Sequence, residues 1–195
     1  MFLSAAEISA EVKCGRLVIE PFVPELLKPA SYVLRVSDRW RQWRATDGPI
    51  NIWSGDSPER HLGPIIQSSE FDIPPLGFTL ASTIELVGLP DDLIGVLSTL
   101  SHLARFGLCV HLNSCFVSPG FGNRHRTALA LEIASVNPSP IRLSYKMPVC
   151  HLAFAKTSHV FKSIGTLSKS AYEGTDPLSA PKLYEEFQFL RNSRS

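Results

Sequence analysis

Fifteen prolines are scattered along the 195 residues of this chain, and between them apolar residues come only in short runs. Each proline removes a backbone donor and breaks a helix interior, so long helices are excluded over most of the sequence. The runs fall at residues 17–19, 32–36, 50–53, 71–73, 78–86, 93–97, 109–112, 127–134, 141–143 and 149–155, bounded by Pro, Gly, Asn and Asp. Many short strands with regular turn signals predict a mainly β fold, a distorted β-barrel or jelly-roll-like sandwich.

Two stretches break this pattern. Ser4 followed by Glu7 has capping-box spacing, Phe2 or Leu3 can staple onto Ile8, and Ile8 and Val12 share a helical face. Gly15 then suits the position just past a helix end. The second stretch, residues 98–106, lies between strand runs, yet Leu100, Leu103 and Ala104 recur at helical spacing before Gly107. A helix of one or two turns is expected there, its first N–H groups available to an anion.

Composition narrows the function. Hydrophobic residues at 44% and charged residues at 19% describe an ordinary globular domain, and a net charge of +1 excludes a chain whose main work is coating nucleic acid. No apolar run approaches the ~18 residues of a membrane span, and no signal-peptide pattern opens the chain. The cysteines Cys14, Cys109, Cys115 and Cys150 form no Cys-x-x-Cys pair, which favours reduced thiols and a cytoplasmic location. We expect a β domain over residues 1–162 and a flexible C-terminal arm over 163–195, where Ser, Gly, Pro and charge dominate.

A series of short motifs carries the chemistry. Gly77-Phe78-Thr79-Leu80-Ala81-Ser82-Thr83-Ile84-Glu85 is followed by Leu89-Pro90-Asp91-Asp92-Leu93. Next comes Ser101-His102-Leu103-Ala104-Arg105-Phe106-Gly107-Leu108, then Val117-Ser118-Pro119-Gly120-Phe121, and finally Leu131-Glu132. In this order they resemble the dCTP deaminase branch of the dCTP deaminase/dUTPase superfamily. That family shows Gly-x-x-x-Leu-x-x-Thr-x-Glu, Arg-Ser-Ser-Leu-Ala-Arg-x-Gly-Leu, Ile-Asp-Pro-Gly-Phe and a strand bearing Leu-Glu.

The resemblance implies a dUTPase-type fold and hydrolytic deamination of dCTP to dUTP and ammonia. It implies no cofactor in the chemical step, magnesium travelling with the triphosphate, and a homotrimer with its sites at subunit contacts. The zinc route of other deaminases needs His-x-Glu and Pro-Cys-x-x-Cys, and this chain has neither. Carried over by position, Glu132 is the general base and acid, while Ser101 and Arg105 hold water and stabilise charge. Nucleotide-binding positions fall on Ser101, His102, Arg105, Ser118, Ala130, Leu131, Tyr172 and Thr175. A carboxylate on the apolar run 127–134 is itself unusual, because an ionised carboxylate leaving water needs a partner or a raised pKa.

Other family positions are lost. An arginine becomes Leu100, a serine His102, and the aspartates of two motifs become Val33 and Ser118. The Pro-Gly-Met turn reads Lys146-Met147-Pro148, and the tail Lys-Tyr-x-Gly-Gln reads Ala171-Tyr172-Glu173-Gly174-Thr175. Losses concentrate where sugar and phosphates are held, and each forfeited charge-assisted bond is worth roughly 1.5–3 kcal/mol. Arg124, Arg126, Lys156 or Lys169 could compensate, although Arg124-His125-Arg126, in a segment longer than usual, also reads as a solvated loop. An inactive deaminase-like trimer binding another nucleotide or a protein partner therefore stands as the alternative. dUTP diphosphatase fits less well, since Ser118 falls where its acids cluster. The apolar stretch Leu108-Cys109-Val110 and Trp40, Trp43 and Trp53 suggest more apolar surface than one barrel buries.

Overall fold

The computed structural model describes residues 1–53, 58–111, 114–158, 172 and 174–192. Within the C-terminal arm, residues 163–171 lie outside the described residues, with Lys169 and Ala171 among them, and so do Glu173 and the end of the 109–112 run.

The elements are α1 (Ala5–Lys13), β1 (Val18–Glu20), β2 (Leu27–Lys28), β3 (Ser31–Gln42), β4 (Ile66–Gln67), β5 (Glu70–Ile73), β6 (Phe78–Gly88), β7 (Leu93–Thr99) and α2 (Ser101–Ala104). They continue with β8 (Leu108–Cys109), β9 (Phe116–Val117), β10 (Thr127–Ser135), β11 (Ile141–Ser144), β12 (Pro148–Lys156), α3 (Leu183–Phe187) and α4 (Phe189–Asn192). Among the described residues ten strands join one curled sheet along the path β8-β10-β6-β3-β12-β7-β9, and β5 pairs with β11 separately. The mainly β expectation holds.

The pivot is β3. Its first half pairs with β12, Tyr32 opposite Leu152 and Leu34 opposite Cys150, and its second half with β6, Val36 opposite Thr83 and Gln42 opposite Thr79. Register shifts between Val36 and Trp40, and between Pro148 and Cys150, bend the sheet so that its halves face one another. Tyr32, Leu34, Ile73, Leu131, Ile133, Leu152 and Phe154 fill the space between them and are wholly buried.

The amino-terminal helix forms for the reasons its residues suggest. Ser4 Oγ accepts the Glu7 N–H, the Glu7 carboxylate accepts the Ser4 N–H at 2.8 Å, and Leu3 and Ile8 enter the core together. Gly15 follows at φ 75°. The Leu89-Pro90-Asp91 and Pro119-Gly120-Phe121 motifs dock on each other, the Leu89 N–H reaching the Phe121 carbonyl at 2.7 Å. That approach requires Gly122, at φ 65°, because a Cβ there would stand 2.1 Å from the Val87 carbonyl oxygen.

Several boundaries differ from expectation. Residues 50–53 form no strand, and Ile52 and Trp53 stay exposed. The helix expected over 98–106 is confined to Ser101–Ala104, because Ser98 and Thr99 pair with His151 and Cys150 and the ladder wins. β3 runs on through polar Ser37–Gln42, beyond the apolar run. Its polar side chains are satisfied from afar: Ser37 Oγ meets Ser82 Oγ at 2.8 Å, and Arg41 bonds Glu59 and the Leu178 carbonyl. Leu108 and Val110 are spent in the core, and Trp40 stacks on Phe71 at 4.8 Å.

Candidate active site

β10 carries the candidate carboxylate. Leu129, Leu131 and Ile133 point into the core, so Ala128, Ala130, Glu132 and Ala134 share the opposite face, Ala130 exposed and Glu132 half-buried. Small neighbours leave room above the strand. Among the described residues Glu132 makes no hydrogen bond and no ion pair, and burial alone pushes its carboxyl above the usual range.

The backbone beside Glu132 is equally available. One edge of β10 pairs with β6, Glu132 standing opposite Leu80. Among the described residues the other edge is paired only at Ala134 and Ser135, by β8. Ala130, Leu131 and Glu132 thus form a bare strand edge whose N–H and C=O groups can read a flat polar ligand. Between Ala128 and Ala130 the register against β6 jumps from Leu86 to Ser82, and Thr83 Oγ1 fills the gap by accepting the Leu129 N–H at 2.9 Å. Strand pairing is invisible in the sequence, so this edge could not be read there.

The other expected residues lie apart. α2 is anchored by buried Leu103 and holds Ser101, His102 and Arg105 exposed at the surface. No hydrogen bond or ion pair joins them to Glu132 among the described residues. Leu100, where the family has arginine, sits at the helix N-cap and packs against the core. Ser118 is exposed and its carbonyl accepts the Phe121 N–H at 3.1 Å, opening the Pro119-Gly120 turn.

In the tail, the Tyr172 hydroxyl accepts the Lys182 N–H at 2.9 Å, and Thr175 Oγ1 donates to the Tyr172 carbonyl at 2.9 Å. Gly174 and Thr175 line an open cleft of about 580 Å³ together with Thr83, Thr127, Ala128, His125 and Arg126. Arg126 is ion-paired with Glu20, and Arg124 is exposed. Beside α2 and β10 lies exposed apolar surface: Phe106, Val136 and Leu76 are 61%, 76% and 74% exposed, and backbone bonds from Val136 to Gly107 and from Leu76 to Asn137 hold these segments together. Among the described residues no three His, Cys, Asp or Glu side chains converge as metal ligands, and no helix is long and apolar enough to cross a membrane.

Residues 2–157 match the family model described as dCTP deaminase-like. A Clavibacter michiganensis protein named "dCTP deaminase, dUMP-forming" is 35% identical over 161 residues, covering 81% of this chain and 77% of that one. Relatives of the same name from Leifsonia xyli and Rhodococcus opacus are 31% and 34% identical, each covering 96% of this chain and 92% and 98% of their own. The crystal structure of 2'-deoxycytidine 5'-triphosphate deaminase from Agrobacterium tumefaciens superposes with a TM-score of 0.60 at 18% identity, over 81% of this chain and 49% of that chain. This chain thus spans about half the length of that structure, and the likeness speaks to the fold. With its curled sheet, its motifs in order and most of its length matched, the chain belongs to the dCTP deaminase-like family.

Proposed function

We propose that the chain hydrolytically deaminates dCTP, with Glu132 as general base and then general acid. The observation that carries this reading is a half-buried carboxylate with a raised pKa and no partner among the described residues, next to a bare strand edge. A carboxylate spent on structure would be paired; one left without a partner, its proton affinity raised by burial, can take a proton and return it. Glu132 removes a proton from water as its oxygen bonds to the ring carbon bearing the amino group. The proton then passes to the leaving nitrogen, the carbon–nitrogen bond breaks, and ammonia departs. Ser101 positions the water and Arg105 stabilises charge developing on the ring. The main chain at Ala130 and Leu131 reads the edge of the base. His102, Ser118, Tyr172 and Thr175 belong to the nucleotide-binding surface, and magnesium enters as the counter-ion of the triphosphate.

Because Ser101 and Arg105 stand apart from Glu132 in one protomer, this reading includes a homotrimer that brings α2 and β10 of neighbouring copies together. The exposed apolar surface at Leu76, Phe106 and Val136 beside both elements supports it. A cytoplasmic location, with all four cysteines unpaired, belongs to the same proposal. The relatives are named dUMP-forming, whereas the residues here argue for the deamination step, with dUTP as its immediate product.

The test is turnover of dCTP by wild type and Glu132→Gln, with dUTP and dUMP resolved by chromatography and affinity measured by calorimetry. The amide keeps the shape but cannot shuttle a proton, so a rate loss of at least ~10²–10⁴ is expected, with affinity held within a few-fold. Wild type that converts no cytosine nucleotide would leave the inactive scaffold as the better reading.

A further inference from the structure

Gly122 and Thr127 both lie against Val87 of β6. The Gly122 backbone is pressed on the Val87 carbonyl, and Thr127 stands opposite Val87 in the ladder. Residues 123–126 therefore leave the sheet and return to it at one point. Two bonds shape the excursion: the Asn123 N–H reaches the Gly120 carbonyl at 3.1 Å, and Thr127 Oγ1 donates to the His125 carbonyl at 2.6 Å. Apart from Asn123 this loop is wholly basic, and Arg124, His125 and Arg126 are all exposed.

His125 and Arg126 stand on the cleft of about 580 Å³ that also takes in Ser82, Thr83, Thr127 and Ala128, a volume that suits a small ligand. Ala128 shares the outward face of β10 with Glu132, about 13 Å away at the rise of an extended strand. The two ends of β10 differ in character. Its start carries the cationic loop, and just past its end stands exposed, apolar Val136. An anionic group on a ligand lying along this face is thus drawn toward the start of the strand. Other cations are placed less well. Leu100 caps α2 with an apolar side chain, and Lys156 ends β12, with β3 and β6 between it and β10. Arg39 lines the same cleft, but Asp176 holds it in a pair 39% exposed on both sides. Asp38, also on the cleft, accepts the Gln67 amide at 2.7 Å. Arg126 bonds Glu20 with both side chains more than half exposed. Such a pair contributes little, whereas a guanidinium meets phosphate through charge-assisted, bidentate bonds, so the exchange of partner is favourable.

We propose that Arg126 and His125, with Arg124 at the rim, bind the phosphates of the nucleotide whose base faces Glu132, so that this loop does the work of the arginine replaced by Leu100. The nucleotide in this statement rests on the proposed deaminase reading; the anion-binding role of the loop is read from binding, apart from turnover.

Calorimetry with dCTP and magnesium, followed by initial rates, decides it. Arg126→Gln should weaken dCTP binding by ~10-fold or more, the worth of one charge-assisted contact. KM should rise with kcat little changed, because Arg126 lies at the far end of the strand from Glu132. Arg126→Lys should recover part of the loss, since it keeps the charge but not the planar fork. Glu20→Gln should act in the opposite sense, tightening dCTP by about 2- to 5-fold as the guanidinium is released from an exposed pair. A role confined to holding Glu20 would make Glu20→Gln and Arg126→Gln alike in dCTP affinity, and that result would overturn the assignment. So would Arg126→Gln binding dCTP as tightly as wild type, or wild type binding no dCTP. Wild type that binds dCTP, with the affinity lost in Arg126→Gln, and yet converts no cytosine nucleotide would sink the deaminase reading alone and leave the phosphate site standing.

Discussion

Two glutamates on neighbouring strands of one sheet meet opposite fates. Glu85 of β6 is wholly buried, yet both oxygens are engaged: Oε1 by Arg35 Nε at 2.7 Å and Oε2 by the Arg35 N–H at 2.9 Å. Glu132 of β10 is half-buried with no partner among the described residues, and its carboxyl holds its proton more tightly than usual. β3 lies against β6 and supplies a cation. On the far side of β10, among the described residues, only β8 follows, and it pairs solely at Ala134 and Ser135. One carboxylate is consumed by the fold and the other is left without a cation among the described residues. What separates them is the neighbouring strand, since both are glutamates among apolar residues.

The comparison breaks most visibly at Glu85. Removing one member of a buried ion pair strands the other, so Glu85→Gln should destabilise the fold by about 3–5 kcal/mol, read from urea denaturation. An unchanged midpoint would mean that the two glutamates do not differ in structural role. A smaller effect of opposite sign is expected at the turn beside β3. Lys146 has φ 70°, its N–H bonds the Val36 carbonyl at 3.0 Å, and Lys146→Gly should stabilise by roughly 1 kcal/mol as the left-handed strain is relieved. Loss of stability would show that the Lys146 ammonium over the Tyr145 ring, 5.1 Å from its centroid, outweighs the strain.

The smallest effect tests Glu132 through pH. Its folded pKa is raised by burial, so the stability linked to its proton is full below the unfolded carboxylate range and is lost as pH rises through the folded pKa. Glu132→Gln cannot lose it. The melting temperature of this variant should therefore gain on wild type between about pH 4 and about pH 8, by no more than ~1–3 °C at a half-exposed site. An equal difference at both pH values would mean that folding leaves the proton affinity of Glu132 unchanged.

Much of this was legible in the chain. Proline spacing announced short strands, Ser4 and Glu7 announced the first helix, and the resemblance of the surrounding motifs to the family, together with its place on an apolar run, marked Glu132 as a candidate. The polar half of β3 was hidden. Ser37, Arg39 and Arg41 look like loop residues until partners arrive from Ser82, Asp176, Glu59 and Leu178. Local spacing overextends the helix at Ser101–Ala104, because it cannot weigh the ladder pairing of Ser98 with His151.

By itself the sequence determined what acts over a few residues: the capping box, the glycine at φ 75° after α1, the punctuation of the strands and the identities of Glu132, Ser101 and Arg105. Tertiary structure alone decided which carboxylate received a cation, which strand edge stayed bare and where the tail came to rest. The physical reason is separation along the chain. Arg35 and Glu85 are 50 residues apart and Arg39 and Asp176 are 137 apart, so these contacts exist only once the sheet has curled. A glutamate's own neighbours in sequence say that its burial is costly; only the strand laid beside it says whether that cost is met by a partner or kept as a raised pKa.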